Sequence, residues 1–210
     1  MAEEKTPPPN EAPAHDAEAK PKEAPKPKPE ATDASHHPWV ESIRAAMPES
    51  VLSAKQFAGQ VTVTVARESI ARVARHLKEA EDFRYCVDVT AVDWKTRQPR
   101  FDLVYHFYSF SKNGRIRVKC GAAEGEDVPS IAAVFLAANW SERETYDMFG
   151  IRFAGHPDLR RILTWEGFHG HPLRKDFPVE GIDTGAAIYP EEWPEGGGPS
   201  PDDSNRKVVS

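Results

Sequence analysis

Residues 101–120 read FDLVYHFYSFSKNGRIRVKC, and the rest of the fold is arranged around them. The run from Phe101 to Phe110 carries bulky groups at both odd and even positions, which predicts a strand central in its sheet. Asn113-Gly114 follows, a dipeptide that favours the tight turn whose twist suits a hairpin. The strand Ile116–Cys120 is therefore expected to pair antiparallel with its predecessor. His106 and Tyr108 share a face of the central strand and read as core residues, whereas Asp88 reads as facing solvent or a partner.

Working upstream, Phe83 to Val92 is a further strand. Ile70, Val73, Ala74 and Leu77 form the apolar stripe of an amphipathic helix, with Arg72, Arg75 and Lys78 outside. Val61, Val63 and Val65 alternate with Thr62 and Thr64, the period of a half-buried strand. Trp39, Val40, Ile43 and Met47 fall at helical spacing, and Pro48 ends that helix. Downstream, Pro129 opens a predicted helix through Ala138, with Asp127 placed to support its N-terminal end. This order predicts an α+β fold, a two-layer domain with helices packed on one face of a mostly antiparallel sheet.

The flanks differ in kind. Residues 1–37 are almost all Pro, Ala, Glu, Lys and Asp, too poor in apolar surface to offset the entropy of ordering, and read as a disordered tail. Residues 188–210, with Trp193 and Gly196-Gly197-Gly198, read as a polar C-terminal tail. The domain is expected over 38–153 and an extended docking segment over 154–187. The opening Met1-Ala2-Glu3-Glu4-Lys5 has no apolar run behind it, so a cytoplasmic bacterial protein is expected. The net charge of −6 gives no support to nucleic-acid binding. Cys86 and Cys120 are the only cysteines, too few for an iron–sulfur cluster, and read as small buried core residues.

The segment after residue 139 carries the functional information. Ser141-Glu142-Arg143-Glu144 has the form of a capping box, predicting a short helix through Phe149 that Gly150 ends in a left-handed conformation. Arg143 and Asp147 are four apart and expected to pair, while Tyr146 and Phe149 pack on an adjoining face. A long irregular stretch follows, dense in Gly, Pro, Arg and aromatic residues, of the types enriched at protein–protein interfaces. His156, His169, His171 and Asp176 could be drawn as a metal site, but no helix fixes two of them at ligand spacing. Glu142, Glu144 and Asp147 could be drawn as an acid/base group, which capping and ion pairing explain without chemistry.

Glu142-Arg143-Glu144-Thr145-Tyr146-Asp147-Met148-Phe149-Gly150-Ile151, then His156-Pro157-Asp158-Leu159-Arg160-Arg161-Ile162-Leu163, then His171-Pro172-Leu173-Arg174-Lys175-Asp176-Phe177-Pro178 resemble the signature of the C-subunit family of respiratory complex I. The resemblance covers roughly residues 38–180. It implies a peripheral-arm component of a proton-translocating NADH:quinone oxidoreductase, at the cytoplasmic face of a bacterial inner membrane. It implies no cofactor in this chain, with FMN, iron–sulfur clusters and quinone held by partner subunits. The expected partner is chiefly the large quinone-site component (the D subunit), with membrane contact only through the complex. The residues expected to dock are Glu142, Arg143, Glu144, Tyr146, Asp147, Phe149, Gly150, His156, Pro157, Arg160, Arg161, His171, Pro172, Arg174, Lys175, Asp176 and Phe177. A hydrogenase-type complex is the alternative within the same superfamily, and a stand-alone metal enzyme the alternative outside it.

Overall fold

The predicted hairpin forms in a computed structural model that describes residues 30–165 and 167–181. In chain order the elements are β1 (Thr32–Asp33), α1 (Pro38–Ala46), β2 (Val51–Phe57), β3 (Gln60–Val65), a single 3-10 turn (Arg67–Ser69), α2 (Ile70–Glu79), β4 (Tyr85–Asp93), β5 (Phe101–Ser109), β6 (Gly114–Ala122), β7 (Val128–Pro129), α3 (Ala138–Phe149) and β8 (Phe153–Ala154). Six strands form one sheet in the order β1-β2-β3-β6-β5-β4, and β7 and β8 form a separate parallel pair. Every neighbour in the large sheet is antiparallel except β3 and β6, which the crossover through α2, β4 and β5 brings side by side in parallel.

The α+β expectation holds, and its layers follow from side-chain alternation. Phe101, Leu103, Tyr105 and Phe107 on β5 share the buried face with Ile116, Val118 and Cys120 on β6 and with Val61, Val63 and Val65 on β3. Against that face lie Val40 and Ile43 of α1, the stripe Ile70, Val73, Ala74 and Leu77 of α2, and Ala138, Met148 and Phe149 of α3. Each fully buried Ile, Val or Leu here contributes roughly 1.5–3 kcal/mol of transfer free energy. Cys86 and Cys120 belong to this core.

His106 and Tyr108 do not. They point to the opposite, helix-free face and are half-buried, because the phase of β5 is set by its apolar odd positions. Asp88 lies on that same face, across from His106. The hairpin loop is also longer than the dipeptide suggests: Ser109 pairs with Gly114, leaving residues 110–113 as the turn, with Asn113 at φ 43°. Gly114 is required for space, since a Cβ there would sit 2.6 Å from Cη2 of Trp39.

Strand β2 is absent from the sequence reading, for a physical reason: only Ala54 of its seven residues is buried, so it shows little apolar period. It joins β3 through Ala58 and Gly59, both left-handed at φ 48° and 78°, the geometry of a two-residue hairpin turn. Residues 30–37, expected in the tail, belong to the fold: β1 pairs with β2, Ala34 is buried and His37 caps α1. The remainder of that tail and the 188–210 tail lie outside the described residues.

The helix expected over Pro129–Ala138 does not form. Val128 and Ser130 instead donate their N–H groups to the carbonyls of Arg152 and Ala154, which commits the backbone to the β7–β8 pair. Asp127 pairs with Arg152 at 2.8 Å rather than capping a helix.

Candidate functional site

Helix α3 begins at Ala138, three residues before the supposed capping serine, so the capping box is not made. Ser141 lies within the helix, where its carbonyl accepts from Thr145 Oγ1, and Glu144 is exposed. The expected Arg143–Asp147 pair is replaced by two longer-range attachments. Arg143 donates to the carbonyls of Arg160 and Arg161 at 3.2 and 3.1 Å, with its guanidinium over the Trp140 ring.

Asp147 anchors the segment that follows. Its side chain is wholly buried, and Oδ2 accepts from the N–H groups of Ile162, Leu163 and Thr164 at 3.0, 2.8 and 2.8 Å. Oδ1 accepts from Arg161 at 2.7 Å and from the Thr164 hydroxyl. Burial alone would raise this carboxyl, but the Thr164 hydroxyl and the three N–H donors outweigh it and hold the group well below the usual carboxylate range. Arg161 continues to the Gly170 carbonyl at 3.0 Å and lies over the Phe168 ring.

The end of α3 explains the block that starts at His171. The last four carbonyls of a helix have no partner within it. Here that of Tyr146 accepts from Gly150 N–H, that of Asp147 from His171 Nδ1, that of Met148 from Leu173 N–H and that of Phe149 from Arg174 Nε. Gly150 is left-handed at φ 75°, and a Cβ there would meet His171 Nε2 at 2.5 Å and Arg174 at 2.7 Å. The His171 pKa is lowered, burial being the main cause.

The same block is tied to the sheet. Arg100, buried at the start of β5, grips Asp93 with two bonds of 2.9 and 2.8 Å and reaches Glu124 and Asp176 at 2.9 and 3.0 Å. Lys175 N–H donates to Asp93 at 2.9 Å, and Arg174 pairs with Glu124 at 2.7 Å. Hydrogen bonds from Arg100, together with those from the Lys175 and Lys95 N–H groups, hold the Asp93 carboxyl well below its ordinary value. Asp93, Arg100 and Glu124 escape sequence reading because they sit at three separate strand ends with no shared spacing.

A second buried carboxyl stands further up the helix. Glu142 accepts from Ile131 N–H at 2.7 Å and the Ser130 hydroxyl at 2.5 Å, anchoring the turn that replaces the expected helix. Burial pushes its pKa up to about 7, against the opposing effect of those two donors. His156 lies 4.0 Å away, donating from Nε2 to the Asn139 carbonyl and accepting from Asp158 N–H at Nδ1. His156, His171 and Asp176 thus serve three different structural anchors, and His169 is exposed. The four do not converge.

Most of the residues expected to dock therefore point inward. Glu142, Arg143, Asp147, Phe149, Arg161, His171 and Arg174 are buried or half-buried against the chain itself, with Tyr146 near His171 and Phe177 stacked on Phe168. Gly150, His156 and Pro172 are also partly covered. Glu144, Pro157, Arg160, Lys175 and Asp176 are exposed, Arg160 pairing with Asp158. Beside these polar groups the outer surface presents large apolar ones. Leu136 is 87% exposed, Trp140 63% and Leu163 63%, with Trp165 and Leu173 also open. Trp140 and Leu163 are joined through Arg143, which stacks on one and binds the backbone leading to the other.

The sequence profile of the family described as "Respiratory-chain NADH dehydrogenase, 30 Kd subunit" matches residues 63–183. The chain is 57% identical over 136 residues to the C subunit of NADH-quinone oxidoreductase from Rhodobacter capsulatus, covering 64% of this chain and 68% of that protein. It is 44% identical over 146 residues to the protein of the same name from Geobacter sulfurreducens, covering 69% and 90%. Among solved structures, a chain of the membrane-bound sulfane sulfur reductase, an archaeal respiratory membrane complex, superposes with a TM-score of 0.58 at 25% identity, covering 67% of this chain and 84% of that one. The matched span includes both the Glu142–Ile151 run that ends α3 and the His171–Pro178 block that caps it, and the chain belongs to the family of the respiratory-chain NADH dehydrogenase 30 Kd subunit.

Proposed function

We propose that this chain is a cofactor-free, structural component of NADH:quinone oxidoreductase whose outward apolar stripe packs against the large quinone-site component, the D subunit. Membership of the family already makes other subunits of that complex its partners. The observation that carries the finer reading is the contrast around α3: its polar side chains lock the fold from within, while Trp140 on the helix, Leu136 just before it and Leu163 in the loop it anchors stand in solvent. Large apolar and aromatic groups held in fixed positions are the usual anchors of a protein interface.

The number and placement of the cysteines support a chain without clusters of its own. The chain has two cysteines where a cluster usually takes four thiolates, and both Cys86 and Cys120 are packed into the hydrophobic core. FMN, the iron–sulfur clusters and quinone then belong to partner subunits, and this chain performs no step alone. Among the described residues no helix is long and apolar enough to cross a membrane. Attachment at the cytoplasmic face of the bacterial inner membrane accordingly runs through the complex. The hydrogenase-type alternative has less support, since relatives up to 57% identical bear the NADH-quinone oxidoreductase name.

The test is affinity purification from native membranes in mild detergent, with identification of the recovered proteins and an NADH:quinone assay. The wild-type chain is expected to bring down a flavin- and iron–sulfur-containing assembly. The triple change Leu136→Ser, Trp140→Ser and Leu163→Ser is expected to reduce recovered assembly without changing turnover per assembled unit. Full recovery with abolished turnover would refute the structural role.

A further inference from the structure

The helices cover one face of the sheet, and the other face carries a concentration of positive charge that the docking stripe does not use. On β6 the outward residues are Arg115, Arg117 and Lys119, at alternate positions in the interior of the sheet. Register places Thr62 and His106 on either side of Arg117, and Thr64 and Val104 on either side of Lys119. Lys55 on β2 lies across Thr62, so the cations extend over the β2-β3-β6 half of the face. Arg117 bonds only the neutral amide of Gln60, and Arg115 stacks on Tyr108.

None of these four cations forms an ion pair among the described residues. Like charges at neighbouring sheet positions repel, and among those residues no ion pair relieves Arg115, Arg117 or Lys119 along β6. Of the acidic residues on this face, Asp102 is taken by Arg97 and the Trp94 indole, Asp88 lies two strands from Lys119, across from His106, and Asp33 lies across from Lys55 at the sheet edge, accepting from Ser35. The excess is felt locally: the pKa of His106 is lowered by burial and further by Arg117, Arg115 and Lys119. A protein of net charge −6 thus keeps an uncompensated basic row on its open sheet face.

We propose that this open face is a second docking surface, occupied by an acidic polypeptide segment of another subunit, so that the chain bridges two neighbours. The proposal rests on the chain being part of the larger assembly. Geometry favours a polypeptide over a small anion. Alternate residues along a strand recur about every 7 Å, the spacing at which an extended segment also presents its alternate carboxylates. The row from Arg115 to Lys119 offers three cations at that repeat. Beside it a depression of about 260 Å³ is bordered by Lys55, Lys119 and the Arg97–Asp102 pair, and the hydroxyls of Ser53, Thr62 and Thr64 along it can donate to a carboxylate. Complementary charge of this kind sets partner choice and register more than raw affinity.

The experiment uses the intact assembly. Carbodiimide coupling joins a lysine amine directly to a carboxylate in contact with it, so Lys55 or Lys119 is expected to link to an Asp or Glu of another subunit. Both amines are expected to lose reactivity toward an acetylating reagent compared with the full chain released from the assembly. No link together with unchanged amine reactivity overturns the proposal. Protection without any protein link, lost when lipid is exchanged for detergent, also overturns it and assigns the face to a lipid headgroup. Protection relieved by dialysis against phosphate-free buffer does the same in favour of a small anion. The charge-reversed variant K55E/R117E/K119E is expected to leave the assembly at lower salt than wild type while keeping its own unfolding midpoint. Equal retention across the salt range counts against the proposal. Failure of the family-based assignment would look different, since the wild-type chain would then be recovered with no partner at all.

Discussion

The inner and outer sides of α3 obey opposite rules. Inside, Glu142, Asp147 and Thr145 are polar and buried, and each is satisfied by backbone from a distant part of the chain. Outside, Trp140 is exposed along with Glu144, and so is Leu136 in the turn that leads into the helix. The difference teaches that the recognisable residues of this helix build a shape, and that the less recognisable ones present it. A buried carboxylate is costly unless donors surround it, and three N–H groups plus an arginine fix the 160–164 turn in one position. An exposed Leu needs no such partner, so its position is free to suit a neighbour.

The comparison breaks most visibly at Asp147. Asp147→Asn removes the charge facing Arg161 and turns one acceptor into a donor, and is expected to cost about 3–5 kcal/mol in urea unfolding of the full chain. Because the folded carboxyl titrates below its ordinary value, its contribution is present at pH above the ordinary carboxyl range and lost as pH falls through and below it. Acid should therefore destabilise the wild type more than the Asn variant.

Glu142 has the opposite sign. Its folded pKa of about 7 lies above the unfolded one, so its stabilisation is full in acid and fades as pH rises to about 7. The loss across that window is on the order of 3 kcal/mol. Glu142→Gln can still accept from Ile131 and meet the Ser130 hydroxyl, and is expected to flatten this part of the stability–pH profile. An unchanged profile would mean that Glu142 is charged in the folded protein.

Gly150→Ala tests the C-terminal cap. The left-handed backbone costs a non-glycine residue about 1–2 kcal/mol, and the contact with His171 and Arg174 adds to it. A lowered thermal midpoint is expected, together with faster proteolysis after residue 170. At the small end, Trp140→Ser should shift isolated-chain stability by no more than about 0.5 kcal/mol while reducing recovery in the assembly. A large stability loss from that change would erase the distinction between the two sides.

How much of this is readable in the sequence varies with the range of the interactions. The α2 stripe, the Val61–Val65 alternation and the β5–β6 pairing are legible because each depends on period and nearest neighbours. The capping box at Ser141 and the helix at Pro129 mislead because a local motif competes with long-range bonds, and Glu142 and Ser130 make theirs elsewhere. The same holds for Arg143 and Asp147, whose spacing suits a helical pair but whose stronger partners lie in the following loop.

By itself, the sequence determined the α+β class, the central hairpin, the helices α1 and α2, the left-handed end at Gly150 and, through its signature blocks, the family. Those properties are carried by hydrophobic period, steric limits on the backbone and residue order, all present in the unfolded chain. Only the tertiary structure decided that His171, Leu173 and Arg174 complete the end of α3, that Arg100 gathers Asp93, Glu124 and Asp176, and that Arg117 and Lys119 share an open face with Lys55. These depend on which strand ends and loops meet, and burial rather than spacing selects the partner once water has been excluded.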